Sequence, residues 1–435
     1  MSTTRAPERA DAEVETSLVS PVERRRYIRT VVILAIAALL LVWLWLRTGG
    51  GDFTFLVQAR SADNDEISVS TGAKGLVLAC VLVALAALAL FALRLVRSGP
   101  LFVLLVLLVG LAFVVGFCAW AYAPVGERAL PMTNPLQGTV RYATPLVLGA
   151  LAGALCERAG VINVAIEAQF LAGAFFASVA ASLAYNAWTG LLGGVLAGVA
   201  VAALLALFAI RYFVNQVVLG VVLVVFATGI TGFLLDQIPS DETELFNSPP
   251  ILAVMEIPGL SSLPVVGPSL FAQNALVYLM YVSVPLVWFL LFKTRWGLRV
   301  RAVGEHPTAA DTVGISVRAR RWQAVLVGGI FAGLGGAFFT VGSTGSFDKD
   351  ASAGTGFIAL AALIMGRWHP VGAALAALFF GFVSQMQIQL QILQKIPTEL
   401  LAMTPYLATI IAVAGFVGRV RPPAADGEPY AKGAH

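Results

Sequence analysis

Apolar runs of about 20 residues, the length that crosses the hydrocarbon core of a bilayer, recur along nearly the whole chain. Few folds satisfy that constraint, because in lipid each backbone polar group has to be satisfied within the protein, and a single run achieves this only as a helix. With 59% apolar and 12% charged residues among 435, the chain has too little polar surface for a soluble domain. The sequence predicts an all-α polytopic membrane bundle of about 12 spans, within a range of about 10 to 12, given that span length. Ile28 to Leu46 forms the first run, and Arg47-Thr48-Gly49 after it lacks a small-x-small cleavage pattern, so it reads as an uncleaved span.

Charge placement orients the bundle. Residues 1–26, mixing Ser, Thr, Glu, Ala and Arg, read as a disordered cytoplasmic tail, and residues 27–130 carry three spans ahead of the main bundle. Alternating the spans puts most of the 28 Lys and Arg on one side, which the positive-inside rule makes cytoplasmic, together with both termini and a short tail over 421–435. The net charge of +4 comes from this distribution and forms no face suited to nucleic acid. Cys80, Cys118 and Cys156 sit singly in apolar helices without neighbouring His or Cys, so neither a metal site nor a disulfide framework is expected. The chain has no Gly-x-x-x-x-Gly-Lys-Ser/Thr pattern and no Ser/His/Asp grouping, so no catalytic residues and no ATP hydrolysis of its own are expected.

Within residues 135–420 the texture changes. Pro145 is expected to open a short apolar piece that ends at Cys156-Glu157-Arg158, with a longer helix starting after Gly160. Residues 356–391 repeat the pattern, broken at Arg367-Trp368-His369-Pro370. Paired interrupted helices in two related halves point to a central substrate path. Asn163 and Glu167, four apart, share a helix face, with Gln169 close behind. A carboxyl at this depth is either part of a functional site or interhelical glue, paired for instance with Arg158. Gln385 and Gln389 share another face, suited to binding hydroxylated or heterocyclic solutes or to joining helices. His306 and His369 fall in or beside cytoplasmic loops, away from any proton relay.

One internal polar stretch is dense in Arg: Lys293 to Arg321, with seven Lys or Arg. Pro307 suits a first helical turn, Ala309 and Ala310 favour helix, and Gly314 can end it. A short amphipathic helix on the cytoplasmic side follows. It is either a coupling helix that docks into an ATPase or a basic loop that fixes topology.

Three segments together resemble the permease subunits of ABC importers in the group that serves branched-chain amino acids, ribose and other simple sugars, and nucleosides. They are Gly160-Val161-Ile162-Asn163 with Glu167, Gln169 and Ala172-Gly173-Ala174-Phe175; Asn215 to Gly220; and Gly304-Glu305-His306-Pro307 with Ala309-Ala310 and Gly314-Ile315. The resemblance covers about residues 135–420. It implies a second permease, alike or different, ATPase subunits that bind ATP in the cytoplasm, an extracytoplasmic solute-binding protein, contact with membrane lipid, and a place in the bacterial plasma membrane. It casts Gly304, Glu305, His306, Pro307, Ala309, Ala310 and Gly314 as the ATPase-coupling residues and Asn215 with Gln216 as a cytoplasmic element. Asn163, Glu167, Gln169, Gln385 and Gln389 would then border the substrate path. Ala168, Gln216 and His306 depart from the residues expected there, and Gln216 puts a charge-based role at its position in doubt. Glu167 tilts the resemblance toward the nucleoside and simple-sugar branch, with nucleosides as first cargo and ribose or branched-chain amino acids as alternatives. The rival class is an ion-coupled secondary transporter using Glu167.

Overall fold

The computed structural model describes residues 21–58, 67–96, 100–123, 130–131, 133–239, 242–391, 397–415 and 421–431. Among them, ten helices are long and apolar enough to cross a membrane, the lower end of the expected range. Two of the expected spans are shorter, Thr355–Met365 and Thr404–Gly415. The chain divides into two compact units, residues 1–130 and 131–435.

In the first unit, α1 (Pro21–Arg47) leads into an antiparallel hairpin of β1 (Asp52–Gln58) and β2 (Ile67–Gly72), followed by α2 (Ala73–Ala92) and α3 (Pro100–Tyr122). Helix α1 begins inside the stretch expected as a tail, because Pro21 suits a first turn and Arg24 to Arg26 are good helix formers. Leu34, Ala38 and Leu41 of α1 are buried at helical spacing, as are Val77, Val81 and Ala84 of α2. The Tyr27 hydroxyl donates to the carbonyls of Phe91 and Ala92, each at 3.0 Å, tying the start of α1 to the end of α2.

The second unit is built around α4 (Thr133–Glu157), in which every side chain from Ala143 to Glu157 is buried. Next come α5 (Ile166–Ala184), α6 (Ala187–Ala206), α7 (Gln216–Asp236) and the short α8 (Thr243–Phe246) and α9 (Val266–Phe271). Helix α10 (Ala275–Lys293) leads into α11 (Arg295–Glu305) and α12 (Pro307–Thr312). Last are α13 (Val317–Phe339), α14 (Thr355–Met365), α15 (Pro370–Gln391), α16 (Thr398–Ala402) and α17 (Thr404–Gly415). Helix α4 packs against α15, α13, α14, α10 and α9. Pro145 does not open a helix, as the sequence suggested, but sits inside α4. Proline removes one intrahelical donor, here the partner of the Arg141 carbonyl, and neighbours on all sides hold the rest of the helix. The described residues between α7 and α10 are also ordered: Asn247 accepts from Ser178 Oγ and the Phe347 N–H, each at 2.7 Å, and Val254–Glu256 pairs with Ala272–Asn274.

Helices α6 and α13 meet backbone to backbone. A Cβ placed on Gly198 would lie 2.5 Å from the Gly329 carbonyl oxygen and 2.5 Å from the Gly333 Cα. Small residues give such close approach where lipid leaves no hydrophobic drive between helices. Gly333→Leu is therefore expected to destabilise the fold by about 3 kcal/mol or more. Gly229→Leu, at a position with nothing within 4 Å, should leave the melting temperature in detergent unchanged.

Candidate functional site

Helix α4 stops at Glu157 and the chain turns through 158–165 before α5; α14 stops at Met365 and the chain turns through 366–369 before α15. Each break leaves backbone donors and acceptors that an ordinary helix would pair, and the protein has to supply their partners. The two breaks supply one another. Arg158 Nε donates to the Trp368 carbonyl at 3.0 Å and its Nη2 to the Arg367 carbonyl at 3.4 Å. In return the Trp368 indole N–H donates to Glu157 Oε2. Phe292 of α10 flanks the junction, its ring 5.8 Å from the Arg158 guanidinium and 5.1 Å from the His369 ring. Burial, aided by the Arg158 charge, lowers the His369 pKa.

Glu167 closes the junction from the other side. It lies buried in the first turn of α5, where the helix dipole favours a carboxyl. Its Oε1 accepts from Ser352 Oγ at 2.6 Å and the Gly354 N–H at 2.8 Å, and its Oε2 accepts from the Gly356 N–H at 2.6 Å. Glu167 thus caps the start of α14, a segment nearly 190 residues away in sequence, and among the described residues its partners are Ser352, Gly354 and Gly356, not Arg158. Asn163 and Gln169 are wholly buried together: Asn163 Nδ2 donates to Gln169 Oε1 at 3.1 Å and lies 3.6 Å from Cys156 Sγ. Asn163 Oδ1 and Gln169 Nε2 have no hydrogen-bond partner. Gln216 Oε1 accepts from the Ile162 N–H at 2.7 Å, and Asn215 caps α7 by accepting from the N–H groups of Val217 and Val218. Gln216 therefore binds the first break through an amide oxygen, with no charge required.

Gln385 stands apart from these residues. Its side chain covers Gly138, near the start of α4, about 28 Å along the helix from Glu157 at the usual rise. Gln389 lies one turn further along α15. The expected path residues thus fall into two groups, one at the breaks and one toward the beginning of α4. Sequence reading missed two residues beside the second group: Arg141 and Tyr142 are exposed on a helix otherwise deeply buried, and Arg141 Nε lies 3.5 Å from Gln273 Oε1. The signal was present, since an Arg four residues before a proline in an apolar run is expensive in lipid and rarely idle.

The expected cytoplasmic helix exists as α12, preceded by α11, which the sequence did not suggest. Thr294 caps α11 by accepting from the Gly297 N–H at 3.0 Å, and Gly314 ends the pair at φ +81°. Gly304 and Ala310 face inward, whereas Glu305, His306, Ala309 and Gly314 are exposed beside Val313, itself 74% exposed. Gly304 lies directly against the Arg158 carbonyl, so a side chain there has no room. The exposed residues of α11 and α12 thus reach the first helix break through the Gly304–Arg158 backbone contact. Glu167→Gln, which turns an acceptor into a donor facing the Gly356 N–H, is expected to destabilise the second unit by about 3 kcal/mol, read as a lower melting temperature.

Residues 136–414 match the family described as branched-chain amino acid transport system, permease component. The chain is 40% identical over 306 residues to the guanosine ABC transporter permease protein NupQ of Bacillus subtilis (strain 168), covering 68% of this chain and 95% of that one. It is 38% identical over 302 residues to the nucleoside ABC transporter permease protein NupC of Lactococcus lactis subsp. cremoris (strain MG1363), covering 67% and 94%. Over 309 residues it is 29% identical to the glucose ABC transporter permease protein TsgB13 of Haloferax volcanii, covering 67% and 80%. No solved structure matches the chain significantly. With the family match spanning well over half of its length, this multi-pass membrane protein belongs to the permease-component family of the branched-chain amino acid transport systems.

Proposed function

We propose that the chain is the membrane permease subunit of an ABC importer that moves nucleosides into the cell, driven by a separate ATPase. The observation that carries this reading is the seating of α11 and α12 on the first helix break, with Gly304 against the Arg158 carbonyl. A partner that displaces the exposed face of α12 then moves the junction of the interrupted helices directly, the kind of rigid rocking that alternating access requires. The similarity to guanosine and nucleoside permeases supports nucleosides as cargo, with simple sugars next. In this reading ATP binds only to the partner ATPase, a second permease completes the path, and a solute-binding protein delivers cargo from outside.

The basic helices α11 to α13 face the cytoplasm of a bacterial cell, with both termini on the same side, as the positive-inside rule requires. Arg141, Tyr142, Gln385 and Gln389 border the outer part of the path, where an aromatic ring can stack on a nucleobase and amides can bond to ribose hydroxyls without demanding a charge. Asn163, Glu167 and Gln169 hold the inner part in shape. The three donors on Glu167 also weigh against the ion-coupled alternative, because a carboxyl that caps a helix is not free to exchange ions during transport.

Uptake of labelled guanosine, uridine, ribose and leucine in cells with and without the chain tests the reading. Nucleoside uptake should require both this chain and a functional partner ATPase, and should persist when an uncoupler collapses the ion gradient while ATP stays high. Ribose or leucine uptake in place of nucleoside would keep the machine and change its cargo, whereas uptake that survives ATPase loss would overturn the ABC reading. Tyr142→Ala is expected to cut nucleoside uptake about tenfold, equivalent to about 1.4 kcal/mol, with the complex still assembled.

A further inference from the structure

Residues 421–431, expected as part of a short cytoplasmic tail, are seated against α11 and α12, the first helix break and the head of α13. The Ala425 N–H donates to the Gly304 carbonyl at 2.9 Å, and the Ala424 N–H donates to Glu305 Oε2 at 3.2 Å. Pro423 and Ala425 are buried. Gly427, at φ +79°, passes so close to Ile162 that a Cβ there would lie 2.7 Å from its Cδ1. Tyr430 packs beside Val303, Ala310 and Val317, the apolar centre of the α11–α12 pair. Together with Asp311, Gly314, Ser316, Val317 and Arg318, Tyr430 lines a cavity of about 230 Å³ beside the exposed face of α12.

Arg321 pins this segment from beneath. It is 2% exposed, the largest fully buried side chain among the described residues. Its Nε donates to the Ala159 carbonyl at 3.2 Å and its Nη1 to the Glu428 carbonyl at 2.7 Å, so one guanidinium bridges the first break and the segment. Gly160, at φ +83°, completes the arrangement: a Cβ there would lie 2.8 Å from both Arg321 Nη2 and the Ala425 carbonyl oxygen. A buried cation is retained at such a place only with carbonyls or carboxyls gathered round it, and residues 421–431 supply part of that shell. Asp426 lies alongside, its carboxyl pushed up to about 7 by burial against the opposing pull of Arg321.

We propose that residues 421–431 are a strap that positions the coupling helices, joining α12, the Arg158–Ile162 turn and the head of α13 into one body, so that displacement of α12 reaches the helix breaks undiminished. Without the strap, α12 keeps its exposed docking face but loses the Ala425–Gly304 and Ala424–Glu305 bonds and can tilt away from the break. The proposal rests on the ABC reading above, and predicts a specific defect: ATP is hydrolysed but less cargo moves per ATP.

The test uses the full complex with its partner subunits in proteoliposomes, measuring nucleoside uptake and ATP hydrolysis on the same preparation. Truncation after Val420 and, separately, Ala425→Arg should keep ATPase activity per assembled complex within about twofold while nucleoside moved per ATP falls at least tenfold, a loss equivalent to about 1.4 kcal/mol. Unchanged uptake per ATP, or equal loss of uptake and hydrolysis, would overturn the strap. Should neither variant assemble, a Val317→Cys, Tyr430→Cys pair, at positions that already pack in one apolar cluster, gives the answer in the full-length chain. Oxidation to a disulfide should leave uptake per ATP intact, because the strap stays docked throughout the cycle, and loss of uptake on cross-linking would refute it. Absence of ATP-driven uptake from the unaltered complex overturns the ABC reading and the strap with it, whereas uptake indifferent to truncation overturns the strap alone.

Discussion

A helix interrupted within a membrane exposes backbone groups that lipid cannot satisfy, each at a cost of several kcal/mol. In the second unit this cost is met by exchange between the two halves. Glu167, beside the first break, caps the start of α14, and Arg158 takes up the Arg367 and Trp368 carbonyls at the second break. The second break relies on Arg158 for these two carbonyls, while the first draws on Arg321 and Gln216 as well, so separating the breaks would strand the Arg367 and Trp368 carbonyls and the Glu157 carboxyl at once. The junction therefore moves as a body. Any change of access has to come from rocking around it, not from prising the interrupted helices apart.

Around this junction the packing is of two kinds. Between α5, α6 and α13, glycines bring backbones into direct contact, as at Gly173 against Gly333 and Gly198 against Gly329. Contacts of that kind have two arrangements, seated or broken, and little compliance between them. The start of α4 is different. Pro145 removes the donor for the Arg141 carbonyl, and Arg141 and Tyr142 project from the first half of the helix, where Leu136 is exposed as well. A polar, incompletely bonded helix surface is tolerated at membrane depth where it lines a wet cavity or meets another subunit. The close-packed frame and the less enclosed face thus belong to the same helix, which is seated at one end and open at the other.

Local chemistry was legible in the sequence wherever one residue decides the outcome. Gly314 ends the α12 stretch in the left-handed conformation, and the polar interruptions near 158 and 367 do break their helices. Pro145 misled because proline was given its intrinsic preference, while burial on every side of α4 kept the helix continuous. Glu167 could be recognised as unusual, but not as a cap, since its donors lie at 352 to 356 and only the fold brings them near. The alternative partner, Arg158, was closer in sequence and is instead spent on the second break. Residues 421–431 were the least legible: Pro, Ala, Gly and Glu in a short run read as solvated chain, and their order comes from Arg321, about a hundred residues earlier.

Gln216 sharpens the point about charge. A carboxylate at its position would also accept from the Ile162 N–H, and in isolation the ionised acceptor makes the stronger bond. Yet Gln216 is buried, and close by are Glu157 and Asp426, each with a buried oxygen that has no partner. A third carboxylate beside the first break would add like-charge repulsion where desolvation already opposes ionisation. The neutral amide keeps the one bond that ties α7 to the break and avoids that repulsion. The departure from an acidic residue at 216 is thus consistent with a structural role at this position, and the burden of charge beside the first break falls on Arg158 and Arg321, which are bonded to carbonyls.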